Sequence, residues 1–187
     1  MKKTLNLIVM TLCVLFSKAQ IPVPVQTDFS RSLQRIFFDF PNNFRNIQGE
    51  LYLDEAEYEK YTSTISLPGV QNAMITHYHS LVDSTSSWQG LVIESEDYEE
   101  AAAKYAGLCQ QIKQSGIYLA DGSGLYLEGK FEPANESNKF TTSTYRLSNP
   151  NEVFKNEKIE VELLAQVTQW KVVVNVFSKR SDDLASE

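Results

Sequence analysis

The sequence predicts an α+β fold, a mainly antiparallel sheet of six or seven strands with two main helices packed on one face. Two segments carry apolar residues at three- and four-residue spacing, which is typical of amphipathic helices. Most other apolar stretches are short and bounded by turn residues, as strands are. Helix and strands follow in the same order twice, which predicts tandem α-β-β-β units related by an approximate two-fold axis.

Residues 1–19 have the features of a cleavable secretory signal. Two lysines follow the initiating methionine, residues 5–16 form an apolar run, and Ser17 and Ala19 supply the small residues of a signal peptidase site. The run is shorter than the roughly 20 residues that span a bilayer. We therefore expect an exported protein of bacterial type, periplasmic or extracellular, that is not inserted in a membrane.

Charge and cysteine content narrow the classes of partner. Without residues 1–19, which hold three lysines and no acid, the chain has 14 basic and 24 acidic side chains, a net charge of −10. This balance disfavours nucleic acids and anionic membranes, both of which bind clustered lysine and arginine. Cys109 is then the only cysteine, so no internal disulfide is expected and a hydrophobic core must stabilise the domain. No cofactor is predicted.

Composition also sets the boundaries of the domain. Residues 20–26 contain alternating prolines and are expected to be an extended lead-in. A single α+β domain is predicted over residues 27–179, with halves at about 27–96 and 97–179. The polar residues 180–187 are expected to be a disordered tail.

The first half begins with a helix that Thr27 or Asp28 caps and Pro41 ends. Its apolar stripe consists of Phe29, Leu33, Ile36, Phe37 and Phe40. The acidic residues 54–60 are expected to be a solvated connection. Pro68-Gly69 predicts a turn between the first two of three strands, which are placed at Tyr61–Leu67, Asn72–His79 and Trp88–Glu94.

The second half begins with the clearest helix of the chain. Asp97 and Glu100 form a capping-box pattern, and Gly116 is expected to end the helix in a left-handed conformation. The apolar face of this helix contains Cys109, which favours a core residue over a nucleophile. A hairpin is predicted around residues 121–124, followed by strands at Phe140–Leu147, Ile159–Val167 and Trp170–Phe177.

Two short strings carry the predicted repeat. Residues 62–67 resemble residues 142–147 at an offset of 80, and residues 88–92 resemble residues 170–174 at an offset of 82. Both strings of the second pair start with tryptophan, so we expect Trp88 and Trp170 to occupy matching, largely buried positions.

Two helices cover one face of such a sheet, so the opposite face remains for another role. On the last strand, alternation places Trp170, Val172, Val174 and Val176 on one side and Lys171, Val173, Asn175 and Phe177 on the other. Of the second set, Lys171, Val173 and Phe177 are the candidate binding residues. Apolar residues on the second side predict a binding surface. The leading hypothesis is a non-enzymatic interaction module whose partner is another envelope or extracellular protein.

Two alternatives belong to other classes. His77 and His79 form an H-x-H pair on one strand face, which would suit a metal-dependent hydrolase if a third ligand were present. The nearest acids, Asp83, Glu94 and Glu96, lack a diagnostic spacing, so no metal site is predicted. The other alternative is a small-ligand carrier with an apolar pocket between helices and sheet, lined by Phe37, Phe38, Tyr105 and Trp170.

Overall fold

The computed structural model describes residues 26–79, 85–119 and 124–178, and these form one nine-stranded sheet with two helices. The predicted α+β class is therefore confirmed. The predicted signal at 1–19, nearly all of the lead-in, the hairpin tip and the tail at 180–187 lie outside the described residues.

All neighbouring strands of the sheet run antiparallel, in the order β1-β2-β3-β4-β9-β8-β7-β6-β5. The elements in chain order are α1 (Asp28–Asp39), a 3₁₀ turn (Phe40–Asn42), β1 (Gln48–Asp54), β2 (Tyr58–Ser63), β3 (Asn72–Tyr78), β4 (Ser86–Ser95), α2 (Tyr98–Gln114), β5 (Gly116–Tyr118), β6 (Gly124–Lys130), β7 (Phe140–Leu147), β8 (Glu157–Ala165) and β9 (Trp170–Ser178).

Helix α1 starts as the sequence predicts. The Thr27 hydroxyl accepts a hydrogen bond from the Ser30 backbone N–H at 3.1 Å, and the Ser30 hydroxyl accepts one from the Thr27 N–H at 2.8 Å. This reciprocal capping box satisfies two backbone donors that a helix start otherwise leaves free. The apolar stripe then faces the core, where Leu33, Ile36 and Phe37 are fully buried.

Asp39 fixes the chain between α1 and the sheet. Its carboxylate accepts hydrogen bonds from the backbone N–H groups of Asn46 at 3.0 Å and Ile47 at 3.2 Å. The side-chain amide of Asn42 donates to the same carboxylate at 3.2 Å. A buried carboxylate that accepts several N–H groups holds a tight turn without regular secondary structure, and β1 begins directly after it.

Helix α2 begins at the predicted cap but ends differently. The Asp97 side chain accepts hydrogen bonds from the backbone N–H groups of Glu99 and Glu100. The Glu100 carboxylate accepts a hydrogen bond from the Ser95 hydroxyl at 2.7 Å, and the Asp97 N–H donates to Ser95 instead of to Glu100. At the other end, Ser115 is already extended and Gly116 opens β5. The left-handed cap predicted at Gly116 is wrong, because the chain enters the strand without reversing. Neither helix in the described ranges combines the length and apolarity needed to cross a bilayer.

The sheet has more strands than the six or seven predicted, and its halves contribute four and five. Strand β1 was not predicted. Residues 54–60, expected to be a solvated connection, instead contain the last residue of β1, a short turn and the first residues of β2. Strand β1 lies at the edge of the sheet, and Leu51 and Tyr52 are 54% and 69% exposed. An edge strand in solvent need not alternate between apolar and polar residues, so its sequence lacks the usual signal.

One face of the sheet carries the hydrophobic core. Val172, Val174 and Val176 of β9 are fully buried, as the alternation predicts, and they join the core residues of both helices. Alternate residues of β7 and β8 are buried in the same way. Pro68-Gly69 forms the predicted turn, with Gly69 at φ +90° and the Val70 N–H donating to the Leu67 carbonyl. We call the opposite side of the sheet the open face.

The two tryptophans differ in environment. Trp88 is completely buried, and its indole N–H donates to the Ser63 hydroxyl at 3.0 Å. Trp170 is partly exposed at the start of β9 and packs edge-on against Tyr98, with ring centroids 5.0 Å apart. The expected burial therefore holds for Trp88, whereas the two positions are not equivalent in detail.

The core also contains an acid. Glu157, the first residue of β8, is 1% exposed, and neither carboxylate oxygen has a hydrogen-bond partner within the described part of the chain. Burial raises the pKa of this carboxyl group to about 10. The folded protein therefore holds Glu157 in its neutral form at physiological pH.

Candidate functional site

The open face contains a depression of about 430 Å³ at one end of β3, β4 and β9. Its lining residues come mainly from four neighbouring strands, β3, β4, β9 and β8, whose hydrogen bonding fixes their relative positions. We call it the open-face depression, and its lining includes Tyr78, Ser87, Gln89, Glu162, Asn175 and Phe177.

A line of polar side chains crosses the depression. Gln89 and Asn175 lie opposite each other on β4 and β9, and the Gln89 amide nitrogen donates to the Asn175 side-chain oxygen at 2.8 Å. Glu162 of β8 lines the same depression beside Asn175. Burial, and secondarily Glu160, raises the pKa of Glu162, while Asn175 and Lys158 oppose the rise.

A second group of side chains forms the neighbouring wall. The Lys158 ammonium lies 2.9 Å from a carboxylate oxygen of Glu160 and 4.4 Å from the ring centroid of Phe177. The Thr144 hydroxyl donates to the same Glu160 oxygen at 3.3 Å. Lys158 and Glu160 are mostly covered, with side chains 13% and 15% exposed, so this pair is held more firmly than a surface ion pair.

The structure separates the three residues proposed from the sequence as a binding surface. Phe177 lines the open-face depression. Val173 is only 2% exposed, between its cross-strand neighbours Leu91 and Glu162, so it packs within the sheet surface. Lys171 lies at the far end of β9 and pairs with Glu94 at 3.3 Å.

His77 and His79 share a second, smaller depression of about 270 Å³. The ring nitrogens of His77 lie 2.7 Å from the Ser86 hydroxyl and 2.8 Å from the Gln48 amide oxygen. His79 lies 3.6 Å from Glu59. Burial lowers the pKa of His77; Glu59 opposes this effect, and Arg45 and His79 add to it, so this imidazole favours its neutral form.

These contacts leave no open coordination at His77, because both of its ring nitrogens already have partners. Within residues 26–79, 85–119 and 124–178, no three His, Cys, Asp or Glu side chains form a group suited to a metal ion. Of the acids weighed as third ligands, Glu94 pairs with Lys171, and Asp83 lies outside the described residues.

The aromatic residues weighed as a carrier pocket pack against other rings. Phe37 contacts Phe154 at 5.4 Å between centroids, and Tyr105 contacts Phe131 at 5.9 Å. Tyr105 also hydrogen-bonds the Ser143 hydroxyl at 2.6 Å. Cys109 is buried among these core residues, as predicted, and burial raises the pKa of its thiol.

Sequence reasoning missed Gln89, Asn175 and Glu162 as site residues. They come from three strands, and Gln89 is 86 residues from Asn175. In the sequence, each of them is a single polar residue at an outward-facing position of a strand. Most strands with a solvated face have such residues, so this feature does not mark a site. Only the registers of β9 with β4 and with β8 bring these three together.

In comparisons with known proteins, no protein-family model, curated protein or solved structure matches the chain.

Proposed function

We propose that the chain is an exported, non-enzymatic binding module that contacts a partner protein through the open face of its sheet. The observation that carries this proposal is the open-face depression, where the hydrogen-bonded pair of Gln89 and Asn175 lies with Glu162 beside the aromatic ring of Phe177. Sites with a few fixed polar groups beside aromatic surface are typical of specific recognition.

The position of the depression supports this proposal. It lies at one end of β3, β4, β9 and β8, the middle strands of the described sheet, and each of these strands is hydrogen-bonded to a neighbour on both sides. Preorganised groups lose little conformational freedom on binding, which favours affinity. The apolar core lies on the other face, so the open-face side chains are free to serve recognition without weakening the packing.

We also propose that the two halves are a structural repeat. In the strand order, β4 and β9 meet at the centre, and β3 with β8, β2 with β7 and β1 with β6 follow outward on the two sides. The similar strings at residues 62–67 and 142–147 begin in β2 and β7, which hold corresponding places. Within the described ranges, strand β5 has no counterpart in the first half.

Site-specific crosslinking tests the binding function. A photoreactive amino acid replaces Gln89, in the depression, and in a matched variant Ala103, which is exposed on α2. Each protein is produced in a bacterial host and illuminated with the envelope and supernatant fractions. We expect a discrete crosslinked partner from position 89 and none from position 103. Equal crosslinking from both positions, or none from position 89, would overturn the proposal.

A further inference from the structure

We propose that the open-face depression binds an arginine side chain of the partner protein, with Glu162 as the counter-charge. This inference rests on the proposed binding function and names the chemistry that the partner must present. Three features of the depression carry it: its charge balance, the direction of its hydrogen bonds and its aromatic wall.

The charged groups at the depression are Glu162 and, beside it, the pair Lys158 and Glu160. Lys158 is bound to Glu160 at 2.9 Å, so these two charges compensate each other. Among the described residues, no lysine or arginine nitrogen lies within ion-pair distance of Glu162. Within the described part of the chain, Glu162 is thus the carboxylate of the depression without an ion-pair partner of its own, and a cation is the complementary ligand.

The hydrogen bond between Gln89 and Asn175 determines which atoms of the depression remain available to a ligand. The Asn175 side-chain oxygen faces Gln89, so the Asn175 amide nitrogen is left to face other acceptors in the depression, such as Glu162. Gln89 then has to donate with its amide nitrogen, as observed at 2.8 Å. The side-chain oxygen of Gln89 and the remaining carboxylate lone pairs of Glu162 are left for a ligand. Both are acceptors, so the ligand must donate.

The aromatic wall favours a planar cation. The Phe177 ring already attracts an ammonium group, that of Lys158 at 4.4 Å from its centroid. A guanidinium group has five N–H donors in a fixed plane, and this geometry matches a carboxylate together with a neighbouring amide oxygen. The volume of about 430 Å³ is in the range of small ligand sites and accommodates one long side chain.

The test uses an acetylated and amidated Gly-Gly-Arg-Gly-Gly peptide and its citrulline analogue, in which a neutral urea replaces the guanidinium. Each peptide is titrated into the full mature chain, and NMR follows the side-chain amide signals of Gln89 and Asn175. We expect saturable shifts with the arginine peptide, weakening as salt rises. The citrulline peptide should bind at least tenfold more weakly. Equal binding of the two peptides would overturn the inference.

Two variants locate the charge. Glu162→Gln should abolish the preference for arginine over citrulline, whereas Glu94→Gln, which removes an open-face carboxylate beside Lys171, should leave it unchanged. An equal loss in both variants would mean that general acidity attracts the peptide and would refute a specific site. If position 89 crosslinks a partner but the arginine peptide does not bind, the inference of a cation site is refuted and the proposed binding function is retained.

Discussion

Replacing Glu157 by glutamine should stabilise the protein at neutral pH. The carboxyl group is buried without a hydrogen-bond partner in the described part of the chain, and its pKa rises from 4.5 to about 10 on folding. At pH 7 the unfolded chain carries an ionised Glu157 and the folded chain a neutral one. Folding must therefore take up a proton, and this uptake costs free energy at any pH above 4.5.

The magnitude follows from linkage. Each pH unit above the unfolded pKa costs about 1.4 kcal/mol until the folded pKa is reached. Between 4.5 and 7 the loss amounts to about 3 kcal/mol. Because the folded pKa is the raised one, the full stability is present below pH 4.5 and declines as pH rises towards 10. Glutamine keeps the size and removes the ionisation, so Glu157→Gln should gain most at high pH.

Urea unfolding followed by circular dichroism at pH 5, 6, 7 and 8 measures this effect. The difference in unfolding free energy between Glu157→Gln and wild type should increase by about 1.4 kcal/mol per pH unit. Glu128→Gln on the exposed side of β6 is the matched control and should give a nearly constant difference. A constant difference for Glu157→Gln as well would refute the reasoning, because it would mean that this carboxyl ionises alike in both states.

Three further predictions concern packing, a turn and export. Truncating Trp88 to alanine should lower the unfolding free energy by about 3–5 kcal/mol, and the same change at the partly exposed Trp170 should cost less than half as much. Chemical denaturation measures both losses, and equal losses would contradict the difference in burial. Asp39→Ala should cost about 1–3 kcal/mol, because the buried Ile47 N–H loses its acceptor; an unchanged melting curve would count against this role. Mass spectrometry of the exported protein should show a chain that starts at Gln20, and a retained initiator methionine would refute the signal.

Local signals were sufficient for most of the elements. The caps at Thr27 and Asp97 and the apolar stripes located both helices, because a helix is specified by residues within a few positions of each other. The predicted strand Phe140–Leu147 has the observed bounds, since its residues alternate between core and open face. Strand β1 was missed because it has no buried face to impose that alternation.

The candidate site was much less accessible to sequence reasoning. The H-x-H pattern placed both histidines on one strand, whereas β3 ends at Tyr78 and His79 follows it; the two still line one depression. Their carboxylate neighbour Glu59 depends on the register between β2 and β3. In the same way, Phe177 was predicted on the open face, whereas its polar neighbours came from strands whose order was unknown. Cross-strand register is a tertiary property, and no short sequence motif encodes it here.

The central place of β9 has a consequence for the timing of folding. This strand pairs with β4 on one side and β8 on the other, so it joins the two halves of the sheet. It begins at Trp170, and the sheet cannot close until that part of the chain has been synthesised. Pairing residues more than 80 positions apart is slow, because a long loop must close before the contacts form. We therefore expect the pairing of β9 with β4 to be a late step of folding, after the local hairpins of each half have formed.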